Sequence, residues 1–241
     1  MAQSRLRVKN AILNRLSASD LDALGLEPVT LPLRQPLEAA NAANQYVYFI
    51  EAGVASVVSE ISAEVATEIA LIGWEGMTGL GMIYGDSQTP FETFMQVKGS
   101  GLRCETARLQ KVWADSSTLR SAMALYARAF SIQAACTAVV NGRYNLEERL
   151  ARWLLMVSDR TAANFNITHE FIAVMLAVRR AGVTLAIQSL EGRGFIRASR
   201  GTIQIVDRPQ LLAFAGGAYG LPEREYERLW EGTTVRDDAQ G

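Results

Sequence analysis

Apolar residues between positions 168 and 190 recur at helical spacing and predict two short helices in succession. The inward positions are Phe171, Ile172, Met175 and Leu176 in the first helix and Val183, Ile187 and Leu190 in the second. Thr168 is a candidate N-cap of the first helix, because its hydroxyl can accept a hydrogen bond from an unpaired backbone N–H. The second helix is expected from about Arg179 to Glu191. Two helices whose apolar faces meet in this way predict a helix-turn-helix.

A β-hairpin is predicted directly after the second helix. Gly192-Arg193-Gly194 ends the helix, and Phe195–Arg197 and Thr202–Val206 have the pattern of two strands around Arg200-Gly201. The two helices and the hairpin together predict a winged helix.

The outward face of this unit carries hydrogen-bond donors and few acids. Glu191 is the only acid between Arg179 and Asp207. The donors expected to face a nucleic acid are Arg179, Arg180, Thr184, Gln188, Arg197 and Arg200. Guanidinium and amide groups on an exposed helix predict DNA binding. The alternative is a helical hairpin and a β-hairpin that serve only as core architecture.

From Val29 to Thr106 the pattern changes to short strands separated by turn residues. The predicted strands are Val29–Leu33, Tyr46–Glu51, Val54–Glu60, Val65–Ile72, Phe91–Val97 and Leu102–Thr106. This spacing suggests a small antiparallel barrel or jelly roll. The glycine-rich stretch Gly73–Gly81 matches neither a dinucleotide motif nor a P-loop, and we interpret it as a sharp turn with close packing.

A long helix is predicted from about Ser117 to Arg143, after a short helix at Ala107–Trp113. About 27 residues would span roughly 40 Å, more than the barrel needs to cover itself, which favours a two-stranded seam with a second copy of the chain. The predicted seam residues are Leu119, Met123, Tyr126, Phe130, Gln133, Thr137 and Val140. Asn141-Gly142 is the predicted hinge.

These elements predict an α+β chain in four parts. Residues 1–114 form a sensor-like β-barrel domain with an N-terminal helix within Leu6–Leu24, and residues 115–144 form the long dimerisation helix and hinge. Residues 145–210 form the winged helix-turn-helix domain, which begins with an amphipathic helix. Residues 211–241 form a C-terminal helix and a loose tail after Gly232.

Composition fits two domains in the cytoplasm. The chain has 241 residues, of which 49% are hydrophobic, enough for two cores. We expect no membrane partner, because no apolar run approaches the roughly 20 residues of a membrane span and Met1–Leu16 lacks the apolar core of a signal peptide. Cys104 and Cys136 fit a reducing compartment. His169 is the only histidine, so we expect no metal site and no cofactor.

The charges are divided along the chain although the net charge is −1. Residues 146–209 contain nine arginines and six acids, which gives this segment a charge of about +3. Residues 36–97 contain eight acids and no lysine or arginine. This division favours a nucleic-acid partner for the C-terminal part only.

An enzyme is the competing class. Its best case is the acidic cluster of Glu75, Asp86 and Glu92 beside Trp74, but solvated turn acids explain this cluster equally well. Since no nucleophile–histidine or metal-ligand spacing accompanies these acids, we expect no catalytic site.

Barrel, long helix, hinge and winged helix, taken in order, resemble the Crp/Fnr family of bacterial transcription regulators over about residues 10–214. The most specific segments are Leu146-Glu-Glu-Arg-Leu-Ala-Arg-Trp-Leu-Leu, Ile167-Thr-His-Glu-Phe, Val178-Arg-Arg and Leu190-Glu-Gly-Arg-Gly-Phe-Ile-Arg. The resemblance implies a cyclic-nucleotide-binding-like barrel, a homodimer on near-palindromic DNA, and RNA polymerase as a candidate partner. It places Arg180 where a guanine is read, and Thr168 and His169 where phosphate is held.

The departures from the family argue against cyclic AMP and against iron–sulfur or haem sensing. Gly79 replaces the glutamate of the phosphate cassette, and no arginine follows near Phe91. A phosphate buried in this acidic barrel would lack a paired charge. Two cysteines cannot supply four cluster ligands, and the single histidine belongs to the helix-turn-helix. Ala181 and Leu185 replace polar base-reading residues, so we expect a different operator.

The sequence therefore predicts a homodimeric, sequence-specific DNA-binding regulator whose effector is unidentified. The alternative is a small-molecule sensor or scaffold with a β-barrel ligand pocket and no DNA binding. Candidate effector-pocket residues are Trp74, Glu75, Gly79, Leu80 and Phe91. A barrel that serves only as a dimer scaffold is equally compatible with the sequence.

Overall fold

The computed structural model describes residues 8–62 and 65–231. The first two residues of the predicted N-terminal helix and the predicted loose tail lie outside the described residues. The first described elements are a 3₁₀ turn at Leu13–Arg15 and helix α1 at Ala18–Leu24. Ser17 caps α1, because its side chain accepts a hydrogen bond from the backbone N–H of Asp20.

The N-terminal half contains an antiparallel sheet of five strands. They are β1 (Glu27–Leu31), β2 (Pro36–Glu38), β3 (Tyr46–Ser62), β4 (Val65–Ile72) and β5 (Glu92–Glu105). The order is β1-β5-β3-β4, with β2 also on β5. The antiparallel sheet is confirmed, but β1 and β4 do not pair within the described ranges, so the sheet is not a closed barrel. We call this sheet, together with α1 before it and the helix that directly follows β5, the β domain.

Two pairs of predicted strands are in fact single long strands. The register of β3 on β5 shifts repeatedly between Ile50 and Ala55. Gly53 adopts φ +87°, and a Cβ on Gly99 would lie 1.8 Å from the carbonyl oxygen of Ala52. These glycines therefore form β-bulges that bend the strands, where the sequence pattern suggested turns between separate strands.

Three helices connect the sheet to the C-terminal half: α2 (Thr106–Asp115), α3 (Ser117–Arg143) and α4 (Leu146–Arg160). The long helix has the predicted bounds, but it continues through Asn141-Gly142, so the predicted hinge is wrong. The break lies at Tyr144-Asn145. Asn145 and Glu148 form a capping box, in which each side chain accepts from the other residue's backbone N–H, and this starts α4.

The predicted dimer seam on α3 mostly faces its own protomer. Leu119, Met123 and Tyr126 are at most 2% exposed. Gln133, another predicted seam residue, instead pairs with the backbone of Leu71, accepting from its N–H at 2.7 Å and donating to its carbonyl at 3.2 Å. Val140 is also buried. The seam prediction is therefore wrong for these five residues, because they pack inside the protomer.

The two remaining predicted seam residues are partly buried and also engaged within the protomer. Phe130 packs edge-on against Tyr126, with ring centroids 6.2 Å apart. The Thr137 hydroxyl donates to the carbonyl of Gln133 and accepts from Arg152. The sequence could not separate this inward stripe from an outward one, because α3 is apolar around much of its circumference.

By length and composition, α3 is the one helix in the described part of the chain that could cross a membrane, with a window of mean hydropathy 1.3. Arg120, Arg128 and Gln133 interrupt its apolar residues, so it is not the continuous apolar run that the sequence analysis sought. The helix packs against β4 and the C-terminal helix of the chain. Core contacts therefore account for the apolar residues of its inward face.

The C-terminal half contains the predicted helix-turn-helix and wing. Its elements after α4 are β6 (Asn164–Asn166), α5 (His169–Met175), α6 (Arg180–Gly192), β7 (Ile196–Ser199), β8 (Thr202–Ile205), α7 (Arg208–Ala215) and α8 (Leu221–Glu231). A third strand, β6, joins the wing in the order β6-β8-β7. The single C-terminal helix predicted from residue 211 is two helices, separated by Gly216 and Gly220 at positive φ. We call residues 146–231 the C-terminal domain.

A buried carboxylate joins the two domains. Glu68 on β4 accepts from the Trp153 indole of α4 at 2.8 Å and from the Ser56 hydroxyl of β3. The Gln96 amide lies 3.4 Å away. Burial raises the pKa of Glu68 to about 7, although these hydrogen bonds and the nearby arginines of α4 act in the opposite direction. The junction therefore favours a protonated Glu68 below neutral pH.

The substitution Glu68→Gln should remove a pH dependence of stability. The pKa of Glu68 is higher in the fold, about 7, than its ordinary value of 4.5, so the folded state binds the proton more tightly. The Glu68 contribution to the free energy of unfolding is therefore full below pH 4.5 and lost as the pH rises through 7. The neutral amide should make the variant more stable than the parent at pH 8, by on the order of 1–3 kcal/mol.

Urea unfolding at pH 5 and pH 8 measures this difference. The matched control is Glu92→Gln on β5, which neutralises an exposed carboxylate of the same sheet. A loss of stability at pH 8 in Glu68→Gln, or equal effects of the two substitutions, would contradict the assignment.

Candidate nucleic-acid interface

The helix pair α5–α6 has a buried back and an exposed front. Ile172, Val183 and Ile187 are at most 2% exposed. Thr168 caps α5 as predicted, accepting from the backbone N–H of Phe171 at 3.2 Å. Because the apolar side of α6 is fixed against the core, its polar side is held toward solvent.

Arg179 and Arg180 stand at the leading end of α6. Arg179 is the extended residue before the helix and makes no side-chain cap, and Arg180 opens the first turn. The Arg180 guanidinium lies 3.0 Å from the Glu170 carboxylate, with both side chains more than 60% exposed. An exposed pair of this kind contributes at most about 1 kcal/mol, so Arg180 can exchange Glu170 for another partner. Glu170 was missed as part of this surface, because it lies on α5, ten residues before Arg180, and not on the outward stripe of α6.

Thr184 is held within the helix pair. Its hydroxyl donates to the Arg180 carbonyl at 3.2 Å and lies 3.1 Å from the Nδ1 atom of His169. This arrangement links the start of α5 to the middle of α6. Thr184 is thus better placed to buttress α6 than to read a base.

Most predicted DNA-binding residues line one groove between α5, α6 and the wing, with a volume of about 720 Å³. They are Thr168, His169, Arg180, Thr184, Gln188 and Arg200. The structure does not place Arg179 or Arg197 in the groove lining, although both are exposed. They lie before α6 and on β7, respectively.

Glu191, the acid at the end of α6, anchors the wing to this helix. The Glu191 carboxylate accepts from the backbone N–H of Ala198 at 2.6 Å, and the Gly201 carbonyl accepts from Ile167 at 2.9 Å. Gly201 adopts φ +73°, which the turn requires. This turn holds the neighbouring Arg200 at the groove.

An exposed leucine interrupts the donors on α6. Leu185 is 67% exposed, and Ala181, one turn earlier, is exposed as well. The sequence showed that both replace polar residues, and the structure adds that both face outward. An exposed apolar side chain among donors suits contact with a thymine methyl group.

The candidate effector-pocket residues do not form one site. Trp74 and Glu75 line a cavity between the domains, whereas Gly79, Leu80 and Phe91 are not in that lining.

The glycine-rich stretch Gly73–Gly81 is closely packed, as interpreted: a Cβ on Gly76 would lie 2.3 Å from the Tyr126 hydroxyl oxygen. Within the described residues, no group of three His, Cys, Asp or Glu side chains could hold a metal ion.

The backbone N–H of Gly79, in the segment that corresponds to the family's phosphate cassette, already donates to a carboxylate of the chain. Glu38 of β2 accepts from the backbone N–H of Gly79 at 2.9 Å and from the Thr93 hydroxyl at 2.7 Å. Burial raises the pKa of Glu38, while both hydrogen bonds act to lower it. The chain therefore satisfies this donor with its own acid.

Comparison with known proteins gives a match for the C-terminal domain. A family model of the Crp-like helix-turn-helix domain matches residues 148–214, from α4 to α7. No curated protein matches the chain in sequence.

Solved structures resemble nearly the whole chain. A Crp/Fnr-family transcriptional regulator from Eubacterium rectale aligns with a TM-score of 0.66 and 16% identity, covering 85% of this chain and 97% of that one. FixK2 from Bradyrhizobium japonicum has a TM-score of 0.69 and 16% identity, covering 80% and 99%. TTHB099, a CRP-family regulator from Thermus thermophilus, has a TM-score of 0.67 and 16% identity, covering 80% and 98%.

At this level of identity the structural likenesses establish a shared fold, and the domain match identifies the DNA-binding part. Together they confirm the resemblance inferred from sequence. Residues 148–214 form a Crp-like helix-turn-helix domain, and the chain has the fold of Crp/Fnr-family transcription regulators.

Proposed function

We propose that the protein acts as a homodimer on a near-palindromic operator and does not respond to cyclic nucleotides. The observation that carries the proposal is the front of α6. Its first turn presents Arg180 in a groove that also contains Gln188 and Arg200, while its back is fixed in the core. A helix held in this way can enter a major groove with its N-terminal residues toward the base edges.

Base readout is assigned to the outward stripe of α6. Arg180 donates two parallel hydrogen bonds to a guanine, once DNA displaces Glu170 from its guanidinium. Gln188 reads a neighbouring position, and Ala181 and Leu185 contact thymine methyl groups. The alternation of donors and apolar side chains on one stripe supports this division of roles.

Phosphate contacts are assigned to the edges of the groove. Thr168 and His169 lie at the start of α5, where backbone N–H groups also favour an anion. Arg179, Arg197 and Arg200 are exposed around α6 and the wing. These residues position the protein on the duplex without reading its sequence.

The dimer contact is assigned to the outward face of α3, which replaces the predicted seam. Leu125, Ile132 and Val139 recur every seven residues, with Ala135 between the last two and Gly142 three residues after Val139 on the same stripe. Val139 is 60% exposed, and the other two are half-buried. A seven-residue apolar repeat on an exposed helix is the pattern of a two-stranded coiled coil.

The absence of a cyclic-nucleotide response is supported by charge. The Glu38 carboxylate already accepts from Gly79, and residues 36–97 contribute no lysine or arginine. A phosphate at this position would be repelled by Glu38 and would lack a paired cation.

The proposal also locates the protein in the cytoplasm without catalytic activity. RNA polymerase is the partner that the regulator type implies.

The substitution Arg180→Ala should relax base preference at one position in each half-site. A bidentate arginine–guanine contact contributes about 1–3 kcal/mol of discrimination, so the preference for guanine should fall by about tenfold or more. Selection of bound duplexes from a random pool measures the preference in the parent and the variant. Glu170→Gln is the comparison variant, and it should raise affinity for all sequences while preserving the preference. An unchanged guanine preference in Arg180→Ala would refute this role.

The substitution Arg200→Ala should weaken binding to all sequences alike. Because Arg200 is assigned to a phosphate, the slope of log affinity against log salt should become shallower by about one unit. Fluorescence anisotropy at several salt concentrations gives this slope. Arg228→Ala removes an exposed arginine that pairs with Glu225 on α8, and it should leave the slope unchanged. A base-specific loss in Arg200→Ala would instead place this residue on a base.

The substitution Val139→Glu should convert the dimer to monomers, because it introduces like charges opposite each other in the seam. Loss of the second half-site contact should lower operator affinity by on the order of 10²-fold or more. Sedimentation velocity measures the mass and anisotropy the affinity. Leu33→Glu is the matched control, since Leu33 is 56% exposed and lies in the β domain. A Val139→Glu protein that remains dimeric would exclude this face as the seam.

A further inference from the structure

A cavity of about 300 Å³ lies where three parts of the chain meet. Trp74 comes from the turn after β4, Phe130 from α3, and Tyr219 and Tyr226 from the end of the C-terminal domain. The residues after 214 that close the cavity lie outside the matched helix-turn-helix domain. The cavity is therefore separate from both the DNA-binding groove and the Glu38–Gly79 cassette.

Aromatic rings form the apolar walls. Trp74 and Tyr226 meet edge to face, with ring centroids 6.4 Å apart. Tyr126 and Phe130 meet at 6.2 Å on the α3 side. Rings arranged in this way offer faces to a flat apolar group and negative π-surface to a cation.

The charged wall has an excess of carboxylates. Arg160 pairs with Glu75 at 2.7 Å, and Arg208 pairs with Asp159 at 2.6 Å, so both guanidinium groups of the lining are neutralised. Glu223 and Glu227 of α8 add two further carboxylates to the lining. Within residues 8–62 and 65–231, neither carboxylate has an ion pair: Glu223 accepts the backbone N–H of Gly220 at 3.0 Å and is attracted at longer range by the buried Arg152.

Two buried hydroxyl groups are incompletely satisfied. The Tyr226 hydroxyl has no hydrogen-bond partner in the described portion of the chain. The Tyr126 side chain is 2% exposed, and its hydroxyl proton finds no acceptor there either. A buried hydroxyl without a partner costs about 1–3 kcal/mol, and a bound molecule that hydrogen-bonds to it recovers this cost.

We propose that this cavity is a binding site for a small aromatic amine. The ring lies among Trp74, Phe130 and Tyr226, and the protonated amino group is held by Glu223 and Glu227 of α8. The Tyr226 hydroxyl accepts one further hydrogen bond from the ligand. An anion of the same shape is excluded, because both arginines are already paired and the remaining lining charge is negative.

Occupancy of the site would couple the two domains. The ligand would contact the β-domain turn, α3 and the C-terminal domain at once, so it stabilises the arrangement in which they are packed together. The inference goes beyond the proposed function, since operator binding by the unliganded protein does not depend on it.

Isothermal titration calorimetry of the full chain with tryptamine and phenethylamine tests the proposal. Indole-3-acetate and phenylacetate carry the same rings with a carboxylate and serve as charge controls. At least one amine should bind saturably with one molecule per chain, and the corresponding carboxylate should bind at least about tenfold more weakly. No binding of either amine at millimolar concentration, or equal binding of the carboxylates, would overturn the proposal.

Variants locate the binding to the cavity. Tyr226→Phe removes only a hydroxyl, and the double substitution Glu223→Gln with Glu227→Gln removes only charge while an amide oxygen can still accept from Gly220. Each should weaken amine binding by about tenfold or more. Glu225→Gln is the matched control, because Glu225 is on the same helix outside the cavity lining and pairs with Arg228. Full affinity in either cavity variant would place the amine elsewhere and overturn the proposal.

Discussion

The burial of α4 on nearly every side is the constraint on which the rest of the structure depends. Ala151 to Val157 are all buried, and the core around them includes Val54 and Leu71 of the sheet as well as the helix-turn-helix. A helix this apolar must be covered by several layers at once. The indole of Trp153 needs a hydrogen-bond acceptor there, and Glu68 supplies it. One packed helix thereby fixes the C-terminal domain against the β domain.

This packing also determines which side of α6 remains exposed. Val183 and Ile187 face the core shared with α4, so Arg180 and Gln188 must face away. The division of charge follows the same boundary: the β domain carries the acids of residues 36–97, and Arg179, Arg180, Arg197 and Arg200 are exposed on or beside α6 and the wing. An anionic duplex is thus attracted to one end of the molecule only.

Local patterns predicted the helix-turn-helix well, because its caps and apolar stripe lie within a few residues of each other in sequence. Thr168 and the pattern from Phe171 to Leu190 were sufficient for that prediction. The seam on α3 was misplaced because the helix has two apolar stripes, and only tertiary packing decides which stripe the protomer buries. Glu170 was missed because its contact with Arg180 joins two helices, and neither helix shows it in its own pattern. The cavity beneath α8 was missed because its lining comes from distant segments of the chain.

The central claim is that the leading turn of α6 reads guanine in a major groove, once in each protomer. Dimethyl sulfate footprinting of a selected operator measures this most directly, because the reagent methylates guanine N7 on the major-groove edge. The account predicts two protected guanines related by the twofold axis, with the half-sites about 34 Å or one helical turn apart. Protection confined to the minor groove, or a single unpaired protected site, would contradict it.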